Sequence, residues 1–238
     1  MKFNYVIGFI GFILLQWSCS NSISYSEEFM NKTAGKYLYN ADNLMHVYYK
    51  DGVLFLRWKG GEIKPVALSE NEFFVPDMYQ KLQFVTHPET GKQYISILPE
   101  SGEGKITYDY LKVPDDFKTP SMHLRARNYE EALEGYLAIK EKDSLSPFIN
   151  QWEINKLGYE YLRSQNYDDA ISVFELNAAL HPESLNVFDS LAEAYLKKGD
   201  SLNAYKNFKK AYASNNRNKK ALRYLEVYES QQKERPLD

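Results

Sequence analysis

The sequence has 238 residues and a formal net charge of -3, with hydrophobic residues at 44% and charged residues at 26%. That balance excludes wholesale disorder and gives no global attraction to nucleic acid or to an acidic membrane. The 20 Tyr and 13 Phe favour pleated, half-buried surfaces, and a single Cys leaves no partner for an internal disulfide.

That cysteine, Cys19, ends an N-terminal apolar stretch. Lys2 supplies positive charge and residues 5–15 (YVIGFIGFILL) an apolar core too short to cross a bilayer comfortably. Ser18 is the small residue that a signal peptidase needs before its cut. The arrangement resembles a bacterial lipoprotein signal, in which the cysteine becomes the acylated first residue of the mature chain. The resemblance implies that residues 1–18 are removed, that Cys19 carries lipid, and that the protein sits in the cell envelope, at the outer membrane of a diderm bacterium. Gln16 stands where that pattern prefers Leu, with Leu15 one residue further back, and Trp17 is bulky for its place. A cleaved secretory signal and an uncleaved anchor are the alternative readings. Residues 19–33 follow as the acylated cysteine and a flexible tether, because residues 20–26 (SNSISYS) are small and polar.

Residues 34–116 carry the pattern of strands. Turn signals recur at Lys50-Asp51-Gly52, Lys59-Gly60-Gly61, Ser69-Glu70-Asn71, residues 87–91 (HPETG) and residues 101–104 (SGEG), with short aromatic and β-branched runs between them. The runs 44–49 and 53–58 flank an Asp-Gly pair, a hairpin signal. Ile106, Tyr108 and Tyr110 alternate with Thr107 and Asp109 in the last run. About eight short strands in meander order predict a small antiparallel β-barrel or sandwich.

After Pro114-Asp115-Asp116 the apolar period changes to three and four, placing a domain boundary near residues 114–120. A first helix over residues 129–141 carries Ala132, Leu133, Tyr136 and Leu137 on one face. A 34-residue repeat follows. With Gln151 at position 1, Leu157, Gly158, Tyr161, Ala170, Phe174 and Pro182 take positions 7, 8, 11, 20, 24 and 32. One period later, Leu191, Ala192, Tyr195, Ala204, Phe208 and Ala211 take positions 7, 8, 11, 20, 24 and 27. Gly158 and Ala170 are small where two helices of a unit cross, and Tyr161 and Phe174 fill the space beside the crossing. Asn177 and Asn216 depart from the pattern. The predicted fold class is therefore α+β in two domains: the β-domain, then a helical repeat array over residues 117–238, with units 151–184 and 185–218 and a capping helix over 219–230.

These positions resemble the tetratricopeptide family. More widely, the strand runs KYLYN, VYYKDGVLFLRW, ENEFF and LQFV resemble the small β-domain that follows penicillin-binding-protein-like serine hydrolases. INKLGYEYL and FELNAALHPESLNVFDSLAEAYLKKGD resemble the repeat segment that ends some of them. The resemblance covers most of residues 34–228 and lacks the hydrolase domain. That family uses Ser-x-x-Lys, Tyr-x-Asn and a Lys-Thr-Gly-like element. Ser230 with Lys233 matches the first in a charged tail, Tyr205 with Asn207 matches the second within a repeat helix, and Lys-Thr-Gly does not occur. His46, His87, His123 and His181 form no close ligand pair. The sequence therefore predicts no enzyme activity, no metal and no cofactor.

Two surfaces remain. The first helices of the repeats place Trp152, Asn155, Tyr159, Leu162 and Arg163, then Asn186, Asp189, Glu193 and Lys197, along one groove. Such grooves in the family hold a peptide or a partner helix, and exposed Trp or Tyr would anchor it. The alternative is that Trp152 and Tyr159 pack against the preceding helix or the β-domain. The second surface is basic: Lys206, Lys209, Lys210, Arg217, Lys219, Lys220 and Arg223 predict a positive patch, either a solvated face or a contact for anionic lipid or an acidic partner. The leading functional reading is a non-catalytic envelope scaffold with a protein or peptide partner, a lipid anchor and no nucleic acid. The alternatives are a lipid, glycan or peptide in the β-barrel, and service to a separately encoded serine hydrolase.

Overall fold

The computed structural model describes residues 23–99, 105–214 and 216–234, so the signal segment, Cys19 and the predicted turn at 101–104 lie outside the described residues. Among the described residues, nine antiparallel strands follow a short helix: α1 (Glu27–Thr33), β1 (Gly35–Tyr39), β2 (Asn43–Lys50), β3 (Val53–Trp58), β4 (Gly61–Ile63), β5 (Val66–Ala67), β6 (Glu72–Val75), β7 (Gln80–Thr86), β8 (Gln93–Leu98) and β9 (Tyr110–Val113). Their order in the sheet is β4-β3-β2-β1-β9-β8-β7-β6-β5. The meander therefore curls round until its first and last strands pair, Tyr37 opposite Lys112, and stays open between β4 and β5. It is a half-barrel.

Local chemistry sets the corners. Asp51 and Gly52 both take left-handed angles, as do Lys59 and Gly60, the combination whose twist matches two flanking strands. Lys50 accordingly faces Val53 across the predicted hairpin. The last strand starts later than expected. Residues 105–109 are not strand, and Tyr108 has a φ of 36° that a continuous pleat does not allow.

The concave side of the sheet is filled by Tyr37, Met45, Val47, Leu56, Phe73, Leu82, Ile95 and Tyr110, all fully buried. Here the expectation of a tether through residue 33 is corrected. Ser26 caps α1 by accepting from the Phe29 N–H at 3.1 Å, and Ile23, Tyr25, Phe29 and Met30 join the same core. The apolar residues of 23–30 offset the ordering of this segment. Burial pushes the Tyr49 phenol up to about 12 and raises Tyr37 and Tyr110 further. The unfolded chain ionises near pH 10 while the folded core resists. The stability from these groups is thus intact below about pH 10 and falls as pH rises toward 12. An alkaline titration should show the last part of the phenolate absorbance change coinciding with the loss of the circular dichroism signal, above pH 10.

The helical half comprises α2 (Pro120–Arg125), α3 (Tyr129–Lys142), α4 (Gln151–Arg163), α5 (Tyr167–Leu180), α6 (Leu185–Lys198), α7 (Ser201–Ser214) and α8 (Lys219–Lys233). Three turns within it are built alike. Arg127, Gln165 and Gly199 are left-handed at φ 63°, 60° and 89°. The next N–H in each case reaches back five residues: Asn128 to the His123 carbonyl, Asn166 to Tyr161 and Asp200 to Tyr195, at 3.0, 3.0 and 2.9 Å. The following helices then bury Ala132, Ala170 and Ala204 at the same point. The array thus holds three helix hairpins, α2–α3, α4–α5 and α6–α7, closed by α8. On α3, Ala132, Tyr136 and Ile139 are buried, whereas Leu137, expected on that face, is exposed.

The halves meet at the β1–β2 turn. Ala41 packs into the core of α2, α3 and α4, and Asp42 Oδ1 accepts from the Ser121 N–H at 3.0 Å. Lys36 Nζ donates to the carbonyls of Asp115 and Phe117 on the connecting segment.

Candidate functional site

The predicted crossings are where the helices touch. A Cβ on Gly158 would lie 2.7 Å from Phe174 Cδ1 and Cζ, so only glycine lets α4 approach α5 this closely. Ala192, Ala204 and Phe208 repeat the contact, all fully buried, between α6 and α7. Asn177, the departure from the repeat pattern, is fully buried and donates from Nδ2 to the Gln151 carbonyl at 3.1 Å, tying α5 to the start of α4. Its Oδ1 has no hydrogen-bond partner.

These crossings leave the α4, α6 and α8 faces as one wall. Trp152 is 64% exposed, the most open aromatic on that wall. One turn on, Asn155 keeps its Oδ1 buried without a partner. Tyr159 is half-buried: its ring meets Phe174 edge-on at 5.2 Å, and its hydroxyl lies 3.3 Å from Ser190 Oγ and 3.2 Å from Glu193 Oε2. Trp152 is thus open, whereas Tyr159 packs against the following helices α5 and α6 and not against the preceding helix or the β-domain. Arg163, Asn186 and Lys197 are exposed on the same helices, and Leu162 packs inward.

The acids of the wall are already engaged. Lys220 on α8 donates to Asp189 at 3.2 Å and to Glu193 at 3.0 Å, and Asn218 donates to Asp189 at 3.0 Å. Burial alone would lower the Lys220 ammonium, but its carboxylate partners outweigh that and its pKa is raised. A polar ladder from Tyr159 through Glu193 and Lys220 to Asp189 therefore crosses three helices. The sequence assigned Lys220 to a basic patch and missed this role. The i, i+4 spacing of Asp189 and Glu193 was the available signal.

The basic residues are spread over α7, α8 and the turn between them. Lys206, Lys209 and Lys210 are exposed along α7, with Lys210 Nζ 5.2 Å from the Phe188 ring and Lys209 Nζ 5.9 Å from Tyr205. They line a shallow cleft with Glu175, Asn203 and Asn207 on the side of the second helices. Lys219 and Arg223 are exposed on α8, Arg217 is exposed in the turn before it, and Lys220 points into the ladder.

Residues that mimic serine-hydrolase elements are spent locally. Ser230 donates to the Val227 carbonyl on exposed α8, Tyr205 to Glu229, and Asn207 to the Asn203 carbonyl. His87 Nδ1 accepts from the turn N–H groups of Glu89 and Thr90, and His46 lies beside Tyr48 on the outer sheet face. His123 stands 3.5 Å from the Asn128 amide, and His181 follows α5. Among the described residues, no group of three or more His, Cys, Asp or Glu stands close enough to hold a metal ion.

The helical half is thus an array of helix hairpins whose turns and crossings repeat from one unit to the next. No family model matches the chain, and no curated protein matches it. Solved structures that match it include the first tetratricopeptide-repeat domain of Spaghetti (RPAP3) bound to an HSP90 peptide, at 17% identity over 47% of this chain and 86% of that one, with a TM-score of 0.33. A MamA mutant matches at 19% identity over 48% and 80%, with a TM-score of 0.36. The Yersinia enterocolitica secretion chaperone SycD with a YopD peptide matches at 18% over 48% and 88%, with a TM-score of 0.34. Likeness at this level carries no functional argument.

Proposed function

We propose that this chain is a non-catalytic, lipid-anchored protein of the cell envelope that holds a protein or peptide partner against the α4–α6–α8 wall. One observation carries the reading: Trp152 stands 64% exposed on a wall otherwise ordered by its own hydrogen bonds. An exposed indole costs solvation free energy until something covers it, and a rigid wall spends little entropy on binding. The competing reading, a ligand within the half-barrel, is disfavoured by the aromatic side chains and α1 that fill that space. The likeness to hydrolase tails makes a separately encoded serine hydrolase the first partner to try.

The test is comparative. The mature chain with Cys19→Ser, which keeps it soluble, is immobilised against envelope extract beside the same chain also carrying Trp152→Ala. A partner on this wall should be lost from the second column, with affinity at least about thirtyfold weaker, the cost of an aromatic anchor of about 2 kcal/mol. Equal retention of the same partner would remove the wall from the proposal. Mass spectrometry of the protein taken from membranes should find Cys19 as its first residue, heavier by its acyl chains; an unmodified Cys19 would remove the anchor.

A further inference from the structure

α1 closes one end of the half-barrel, and the chain leaves from that end. Tyr25 lies edge-on to Tyr49 at 5.3 Å, and at the other end of the helix Thr33 Oγ1 is 2.7 Å from the Tyr49 hydroxyl. Tyr49 is the second-last residue of β2, so the helix lies across the mouth where β2 ends and β3 begins. The pairing register places the loops 50–53, 68–71 and 87–92 round the same mouth. The β1–β2, β3–β4 and β6–β7 turns lie at the opposite end, and the helical array is fastened there, through Ala41 and Asp42.

Ile23 packs against the core beneath α1. Between it and Cys19 lie only residues 20–22, and four residues reach at most about 14 Å whatever path they take. Resting on the lipid-anchor reading of Cys19, we infer that the α1-plugged mouth of the half-barrel lies against the bilayer surface and that the repeat array is attached at the far end, facing away from it. The rim suits a headgroup layer: Val53 and Leu68 stand exposed there, beside Lys32, Lys50 and Lys92 and among acids such as Glu89. Mixed charge gives little net pull, so the short tether, and not electrostatic attraction, sets the orientation. The protein therefore acts as a pedestal that presents its wall to partners in the aqueous space.

The test uses the full, acylated protein in phosphatidylcholine vesicles containing spin-labelled headgroups. Acylated Cys19 holds its sulfur as a thioether, so a single introduced cysteine is the only free thiol. Glu89→Cys, on the mouth, and Asp77→Cys, at the far end, flank β7, whose length is about 20 Å. With a fluorophore on each, headgroup quenching should be several-fold stronger at residue 89 than at residue 77. Lys92→Cys and Lys59→Cys form a second pair should either of the first fold poorly. Equal quenching, or stronger quenching at the far end, overturns the orientation. Ten Gly and Ser residues inserted after Ser20 should erase the difference; persistence of the difference would show that the tether is not its cause and overturn the inference. Co-sedimentation with the vesicles is read first. An acylated chain that stays in the supernatant refutes the anchor itself and the orientation with it, an outcome distinct from a chain that binds but shows no asymmetry.

Discussion

Deletion of residues 23–33 is expected to abolish cooperative unfolding of the β-sheet half. The helix looks peripheral, but it supplies one wall of the core. Tyr25 is 8% exposed and stacks on Phe29 at 5.5 Å, and Phe29 meets Phe84 edge-on at 5.8 Å. Burying Tyr25, Phe29 and Met30 is worth about 5 kcal/mol together at ~1.5–3 kcal/mol for a fully buried side chain, discounted for those only partly buried. Deletion also orphans two hydroxyls inside the core: Tyr37 donates to the Thr33 carbonyl at 2.9 Å, and Tyr49 pairs with Thr33 Oγ1. Each buried polar group left unpaired costs about 1–3 kcal/mol more. The total approaches the 5–15 kcal/mol that holds a whole domain together. Phe29→Ala, which keeps the helix, should cost about 2–3 kcal/mol by the same reckoning. Urea unfolding followed through Trp58, which lies edge-on to Tyr39 and Tyr110 in this core, measures both. An unchanged midpoint in the deletion would mean that α1 is not part of the folded unit.

Gly158→Val should lower stability by about 3 kcal/mol, at the upper end for an overpacked core. A single Cβ there already overlaps the fully buried Phe174 ring, and a branched side chain cannot rotate out of the way in a helix. Gly158→Ala sets two effects against each other. Alanine gains about 1 kcal/mol of helix propensity, while the ring must shift to admit it; the collision is with the body of the ring, so the clash should win. Combining Gly158→Ala with Phe174→Leu should restore part of the loss, because the two residues share one space. Additive losses in that cycle would mean that the crossing is not set by this contact.

The same contact explains why the repeats were legible. A small residue facing an aromatic one is a steric necessity of two helices crossing closely, so it leaves a mark in the sequence at every unit. Of the first hairpin only the second helix was legible, as half of a degenerate front unit; its partner α2 is short, Pro120–Arg125, and the link between α3 and α4 runs from 143 to 150 whereas that between α5 and α6 runs only from 181 to 184. Its signature was nevertheless present: Asn128-Tyr129-Glu130-Glu131-Ala132 repeats as Asn166-Tyr167-Asp168-Asp169-Ala170. The helix α1 was hidden inside a polar run, though Ser26 followed by Glu27 and Glu28 is a helix start, and Tyr25 and Phe29 are spaced to share a face. The strands were visible as alternation, but the pairing of β1 with β9 joins residues more than 70 positions apart and has no local signal. On the wall, position alone could not say that Trp152 would be open and Tyr159 packed. The i, i+4 spacing of Asp189 and Glu193 marked a place for a cation but not that Lys220 would fill it, since that depends on how α8 lies against α6.

The β1–β2 turn carries a consequence for how such a chain can be divided. Repeat arrays need both of their open ends sealed. Here α8 seals one, while the shortened α2 leaves room at the other for Ala41 and Asp42 of the sheet to cover Leu124 and Tyr136. The sheet is thus the lid of the solenoid, and severing the chain near residue 117 would wet an apolar surface on each fragment. Shuffling either half onto another protein would have to bring a replacement stopper along with it.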